Sequence, residues 1–376
     1  MFTKVDMEQN EGVRYLRIDC LLPLLQGEAI VVPTTATLFQ RVSRTHTTLL
    51  RSVLKTISIG AIRRSIILPP NLMTTAAIPN ALRRLRDRPS PNKPTVEVVY
   101  TSQPEWPLRS ITEPPKCLRL SILDSSFNPP TLAHAALARL GPQNKTENPG
   151  SILLPSSSYD AHLLLLSVTN ADKILKPGDA GLEQRLEMIH LLAKDIQSLD
   201  TSHSASNIAV AAIDEPTFVG KARQLREFLL TKISEVLTVD GDGGNNAVPL
   251  PSLQLHFILG FDTVVRLFST RFYASQDTMR SLLKTFFDPT GDNCVVVCAR
   301  RGLKEGSSQE ERDAEEREFA EGIEVRTYIE AGRVVLVDIP EDLQVISSTK
   351  VRKGRWDFVP SSIRAYIEEK ELYTPI

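Results

Sequence analysis

The sequence predicts an α/β fold in which a doubly wound parallel sheet carries helices on both faces, behind a poorly ordered N-terminal extension. Three observations predict it. Largely apolar runs of strand length recur at Leu118–Leu123, Ile208–Ile213, Leu253–Leu259, Cys294–Ala299 and Val334–Ile339. Segments with apolar residues at helical spacing fall between them, Leu182, Leu186, Ile189 and Ala193 being the clearest set. Before about Pro115 the composition is of another kind. Strand, loop and helix repeating in this order make the sheet Rossmann-like, with a ligand site expected at the carboxyl ends of its strands.

From Ala29 to Arg86 there is no Asp or Glu, while Arg recurs among Ser and Thr. Such a stretch resembles an organellar transit segment, yet it follows Asp6, Glu8, Glu11 and Asp19, which a presequence would avoid. Residues 1–79 are therefore expected to be a poorly ordered basic extension, and a natural start near Met73 is an alternative. Residues 80–116 read as a short preamble or linker packing on the core: a basic helix over Asn80–Arg88, a strand-like run over Val96–Thr101, then Pro104, Pro107, Pro114 and Pro115.

The main domain, 117–376, opens with a buried strand at Leu118–Leu123, a tight turn over Asp124–Pro130 and a helix over Leu132–Leu140. The second strand is either Gly150–Pro155 or Leu163–Val168. A helix follows over Leu182–Ile196, then the strand Ile208–Ile213 and a helix from Lys221 to about Leu237. Val239–Pro251, rich in Gly, Asn and Pro, reads as a mobile surface loop. Leu253–Leu259 leads through Gly260 to a helix from Val264, and Glu305–Glu321 is a solvated helix of mixed charge. A helix starting in Ile346–Arg352 and an amphipathic one over Pro360–Glu371 close the chain.

Lys and Arg number 44 against 45 Asp and Glu, a formal net charge of -1, so charge supplies no case for nucleic acid or an anionic membrane as partner. Cys20, Cys117, Cys294 and Cys298 show no metal-ligand spacing with His and fit a reduced intracellular protein. The apolar runs are too short to span a bilayer. The expected location is the cytoplasm, with the nucleus as a second site and mitochondria disfavoured.

The turn after Leu118–Leu123 concentrates the chemistry. Backbone N–H groups left open at a strand–loop–helix junction suit phosphate, and Ser125, Ser126, Asn128 and His134 offer hydroxyl, amide and imidazole donors beside them. Read as residues alone, His134 also fits a satisfied core histidine, and Ser347, Ser348 and Thr349 fit a plain helix cap.

The segment Ser126-Phe127-Asn128-Pro129-Pro130-Thr131-Leu132-Ala133-His134 resembles the SFNPxHxGH signature of the nicotinamide mononucleotide adenylyltransferases, within the nucleotidylyltransferase superfamily. Ile346-Ser347-Ser348-Thr349-Lys350-Val351-Arg352 resembles their ISSTxxR signature. Thr131 stands where the first His of HxGH is expected and Ala133 replaces its Gly, a TLAH variation similar to a divergent fungal branch. The resemblance covers roughly Cys117–Ile376 and makes 117–376 a nucleotidylyltransferase catalytic domain.

The resemblance implies transfer of AMP from ATP to nicotinamide mononucleotide, with Mg2+ accompanying ATP and no metal ligands from the protein. It implies His134 and Arg352 as catalytic residues. Ser126, Phe127, Asn128, Thr131, His134, Gly260, Asp262, Ser347, Ser348, Thr349 and Arg352 would meet ATP and its phosphates. Lys173 and Ser125 would meet the mononucleotide, Arg185 matches a recurrent helix Arg, and Arg300 or Arg301 would reach ATP. Two alternatives remain: a related transferase using another nucleotide such as CTP, and a non-catalytic nucleotide-binding protein.

Overall fold

The computed structural model describes residues 3–10, 13–20, 77–86, 95–142, 159–169, 178–199, 207–239, 249–300 and 308–373. The chain divides into two compact units, Met1–Ile66 and Ile67–Ile376. In the first, β1 (Thr3–Asn10) and β2 (Val13–Cys20) pair antiparallel, in register from Thr3 opposite Cys20 to Asn10 opposite Val13. Most of the rest of the expected poorly ordered extension lies outside the described residues.

The second unit runs α1 (Ala77–Arg86), β3 (Val96–Thr101), β4 (Cys117–Asp124), α2 (Leu132–Ala138), β5 (Ala161–Ser167), α3 (Leu182–Leu199) and β6 (Ile208–Ile213). It continues with α4 (Phe218–Val239), β7 (Ser252–Gly260), α5 (Phe261–Leu267), α6 (Gln276–Phe287), β8 (Cys294–Ala299), α7 (Gln309–Glu321) and α8 (Ile323–Glu330). β9 (Val334–Val337), α9 (Glu341–Gln344), α10 (Ser348–Arg352) and α11 (Ser361–Glu369) complete it.

Its strands form one seven-stranded sheet of order β3-β6-β5-β4-β7-β8-β9. Every pairing is parallel except the antiparallel edge pair β3–β6. The segment the sequence presents as a preamble thus supplies an edge strand of the sheet. Val96–Thr101 keeps some polar character because it is an edge, and its buried Glu97 is met by Arg84 of α1 through two contacts of 2.6 Å. Of the two candidates for the second strand, Leu163–Val168 matches β5; Gly150–Pro155 lies outside the described residues.

Alternate residues of each central strand face opposite buried layers, which is why the strand sequences are largely apolar. Leu118, Leu120 and Ile122 join the layer formed by Val219, Leu225 and Leu229 of α4 and Met279, Leu283 and Phe286 of α6. Leu123, Leu164 and Leu166 face α1, α3 and α11, including Leu82, Ile189, Leu192 and Ile363. Helix α6, for which the sequence reading has no element, buries Met279, Leu283, Phe286 and Phe287 at helical spacing. The charged segment begins as a helix only at Gln309, where Ser308 and Glu311 form a capping box. No helix among the described residues is long and apolar enough to cross a membrane.

Two neighbouring strands at the centre, β4 and β7, send their crossovers in opposite directions, to β5 and to β8. A crevice opens at their carboxyl ends, the place where doubly wound sheets hold ligands.

Candidate active site

The crevice is a cleft of about 810 Å³. Its walls include Ser125, Ser126, Asn128, Thr131 and His134 from the turn after β4, Gly260 from the end of β7, and Ser347, Ser348, Thr349 and Arg352 around α10. Chain segments far apart in sequence therefore face one space.

The turn itself is tightly built. Phe127 takes a left-handed φ of 44°, uncommon for a residue with a side chain, and the Asn128–Pro129 peptide is cis. Phe127 sinks its ring into the core and packs 5.1 Å from the His134 ring. Among the described residues, the N–H groups of Ser126 and Phe127 have no partner.

Thr131 caps α2, accepting at 3.5 Å from the His134 N–H. It also fixes the imidazole: its backbone N–H lies 3.0 Å and its hydroxyl 2.8 Å from His134 Nδ1. A backbone N–H can only donate, so Nδ1 is the acceptor and the proton of the neutral ring sits on Nε2. Nε2 lies 2.9 Å from the Ser125 hydroxyl at the cleft wall. Thr131, which stands where the first His of HxGH is expected, holds the imidazole in one tautomer.

Asn128 joins the turn to the rest of the site. Its amide nitrogen donates to Asp179 at 2.7 Å, and its side-chain oxygen accepts from Ala180 N–H at 3.3 Å and from the Tyr373 hydroxyl at 2.7 Å. Its main-chain oxygen accepts from Arg352 Nη1 at 2.5 Å. The Ser348 hydroxyl adds a second tie, donating to the Pro129 carbonyl at 2.7 Å. Ser347 caps α10, accepting from the Lys350 N–H at 3.2 Å, and Thr349 Oγ1 lies 3.5 Å from Arg352 Nη2. The three hydroxyls expected to meet phosphate thus first brace the protein.

Asp179 is flanked by two guanidinium groups, Arg352 at 3.7 Å and the buried Arg185 at 3.8 Å. Arg185 also donates to the Ala180 carbonyl at 2.8 Å and to the Ser126 carbonyl at 3.5 Å. Burial pushes its pKa down, while Asp179 acts in the opposite direction.

The remaining expected residues divide. Gly260 lines the cleft at the start of α5, whereas Asp262 sits half-buried on the first turn and is not part of the wall. Asp262 instead lies close enough to Cys298 to help raise its thiol pKa, which burial drives to about 12. Arg300 is held between Glu316 at 3.1 Å and Asp338 at 3.2 Å and is likewise not in the wall. Lys173 and Arg301 lie outside the described residues.

Sequence reasoning missed an ion pair in the cleft. Lys221 Nζ of α4 lies 2.5 Å from Asp124 Oδ2 at the end of β4, their side chains 4% and 7% exposed. The same ammonium is 4.6 Å from the centre of the Phe218 ring. The signal was present in outline, since an acid that ends a fully buried strand needs a cation.

No protein-family model matches the chain. Among curated proteins, it is 29% identical over 166 residues to a Schizosaccharomyces pombe protein provisionally named nicotinamide mononucleotide adenylyltransferase. The match covers 44% of this chain and 48% of that protein, so about half the length of the relative is spanned. Among solved structures, Plasmodium falciparum nicotinic acid mononucleotide adenylyltransferase complexed with APC is 14% identical, with a TM-score of 0.37, over 68% of this chain and 97% of that one. A likeness of that size carries no argument. The name given to the Schizosaccharomyces pombe protein is that of the family which the two motif segments of this chain resemble.

Proposed function

We propose that the chain transfers AMP from ATP to nicotinamide mononucleotide, forming NAD and releasing pyrophosphate. One observation carries the reading: the Arg352–Asn128 contact joins the two motif segments across a single cleft. At about 810 Å³ the cleft is of the size that holds small-molecule ligands.

In this reaction an oxygen of the mononucleotide phosphate bonds to the α-phosphorus of ATP as the bond to the β-phosphate oxygen breaks. The leaving pyrophosphate takes up the charge. Such a displacement needs no enzyme nucleophile, so the protein's task is to align two anions and offset their repulsion. His134, protonated on Nε2, donates to a phosphate oxygen of ATP, with Thr131 as the group that positions it. The N–H group of Ser126, a residue of the cleft wall, meets the same phosphates, whereas Phe127 is buried and lies outside the wall. Arg352 receives the outgoing pyrophosphate, braced by Asn128, Ser347, Ser348 and Thr349. Gly260 permits close approach of the nucleotide, and Asp262 would have to turn toward the cleft to reach a ribose hydroxyl. Ser125 and Lys173 are assigned to the mononucleotide.

ATP is taken to enter as its magnesium complex. The cleft carboxylates Asp124 and Asp179 face Lys221 and the two arginines, so the ion would keep phosphate oxygens and water as its ligands.

The test is pyrophosphate release by the purified chain offered ATP or CTP, with nicotinamide or nicotinate mononucleotide or neither. Release that requires ATP together with a pyridine mononucleotide supports the proposal. Turnover with CTP alone points to another transferase, and ATP binding without release to a binding protein on this scaffold.

A further inference from the structure

Tyr373 reaches the phosphate turn from the far end of the chain. Its side chain is buried, and its hydroxyl donates to the side-chain oxygen of Asn128 at 2.7 Å. The orientation of that amide is fixed, because a carboxylate can only accept: Asp179 takes the Asn128 NH2 at 2.7 Å, leaving the oxygen for Ala180 N–H and Tyr373. The main-chain oxygen of the same residue holds Arg352. Asn128 is thus restrained on its amide nitrogen, its amide oxygen and its carbonyl. One of those restraints comes from a tyrosine that neither motif contains.

Asp179, Arg185 and Arg352 are the charged groups facing the phenol. Burial raises its pKa, the two arginines oppose that and Asp179 adds to it, so at neutral pH the hydroxyl remains a donor.

We infer that Tyr373 is a positioning residue of the ATP site, setting the Asn128 side chain and through it the turn and the guanidinium that meet the phosphates. The inference rests on the adenylyltransferase reading above. Tyr366 supplies the contrast: its hydroxyl donates to Glu187, joining α11 to α3. Removing either hydroxyl deletes one hydrogen bond, buried at Tyr373 and partly buried at Tyr366, but only that of Tyr373 touches the turn.

Calorimetric titration of Mg·ATP into the full chain, with melting temperatures alongside, separates the cases for wild type, Tyr373→Phe and Tyr366→Phe. Tyr373→Phe is expected to weaken ATP binding roughly 3- to 10-fold, the effect of one hydrogen bond. It should raise KM for ATP more than it lowers kcat. Tyr366→Phe is expected to lose similar thermal stability and keep wild-type affinity. Equal affinity of Tyr373→Phe and wild type overturns the inference, as does an equal loss in Tyr366→Phe. A wild-type chain that binds no ATP removes the functional reading itself, and this inference with it.

Discussion

Arg352 Nη1 lies 2.5 Å from the main-chain oxygen of Asn128, across a sequence separation of 224 residues. The same guanidinium is 3.7 Å from Asp179 and 3.5 Å from Thr349 Oγ1. Its fork is therefore oriented before any ligand arrives, and that orientation is what a phosphate would use. Arg352→Ala is expected to lower kcat/KM for ATP by about 100-fold, the scale of a lost charge-assisted hydrogen bond. Arg352→Lys keeps the charge and loses the fork, so it should recover less than about tenfold of that loss. Full recovery in the lysine variant, measured by steady-state kinetics, would show that charge alone matters.

Thr131 serves as helix cap and holds the His134 ring. Thr131→Ala should cost about 1 kcal/mol of stability through the cap. It should also slow turnover roughly tenfold, because the backbone N–H alone remains to hold Nδ1. Thr131→Ser retains the hydroxyl and should stay close to wild type in both. Denaturant unfolding and initial rates on the two variants check this; a silent alanine variant contradicts the positioning role.

The Asp124–Lys221 pair is buried on both sides. Lys221→Met leaves a carboxylate without its cation and should destabilise by about 3–5 kcal/mol, whereas Lys221→Met combined with Asp124→Leu should restore most of the loss. A double-mutant cycle by chemical denaturation measures the coupling. Additive effects would mean that the two side chains do not depend on one another.

Acid sensitivity has an identifiable source in His256. Burial, followed by Arg119 and Arg333, pushes its pKa down to about 3, while Tyr159 and Gln254 hold the neutral ring by hydrogen bonds of 3.2 and 2.9 Å. A histidine with a depressed pKa in the fold takes its proton in the unfolded chain first. Its stabilising contribution is complete above an unfolded pKa of about 6.5 and is lost as pH falls toward 3. In that window His256→Gln should reduce the slope of stability against pH by about 1.4 kcal/mol per pH unit. Unfolding curves between pH 6.5 and 4 test it, and an unchanged slope removes His256 as the source.

The central strands were legible because both their faces are buried, so Ile208–Ile213 and Cys294–Ala299 carry only apolar residues. The edge strand Val96–Thr101 was harder to place, since Glu97 breaks the pattern and its counter-ion comes from another element. The turn after β4 and the Arg352 segment were legible as motifs. What joins them was not, because hydrogen bonds such as Asn128 to Asp179 and Tyr373 depend on how distant segments meet in the fold. Lys221 looked like an ordinary helix residue for the same reason: nothing local tells that its ammonium turns inward to Asp124.

The central claim is chemical, and one experiment addresses it directly: ATP labelled at the α-phosphorus is incubated with the chain, magnesium and nicotinamide mononucleotide, and the products are separated and identified by mass. The account predicts label in NAD in amounts equal to the pyrophosphate released, and its loss in His134→Ala. Label that stays in ATP, or that appears only in free AMP, would contradict it.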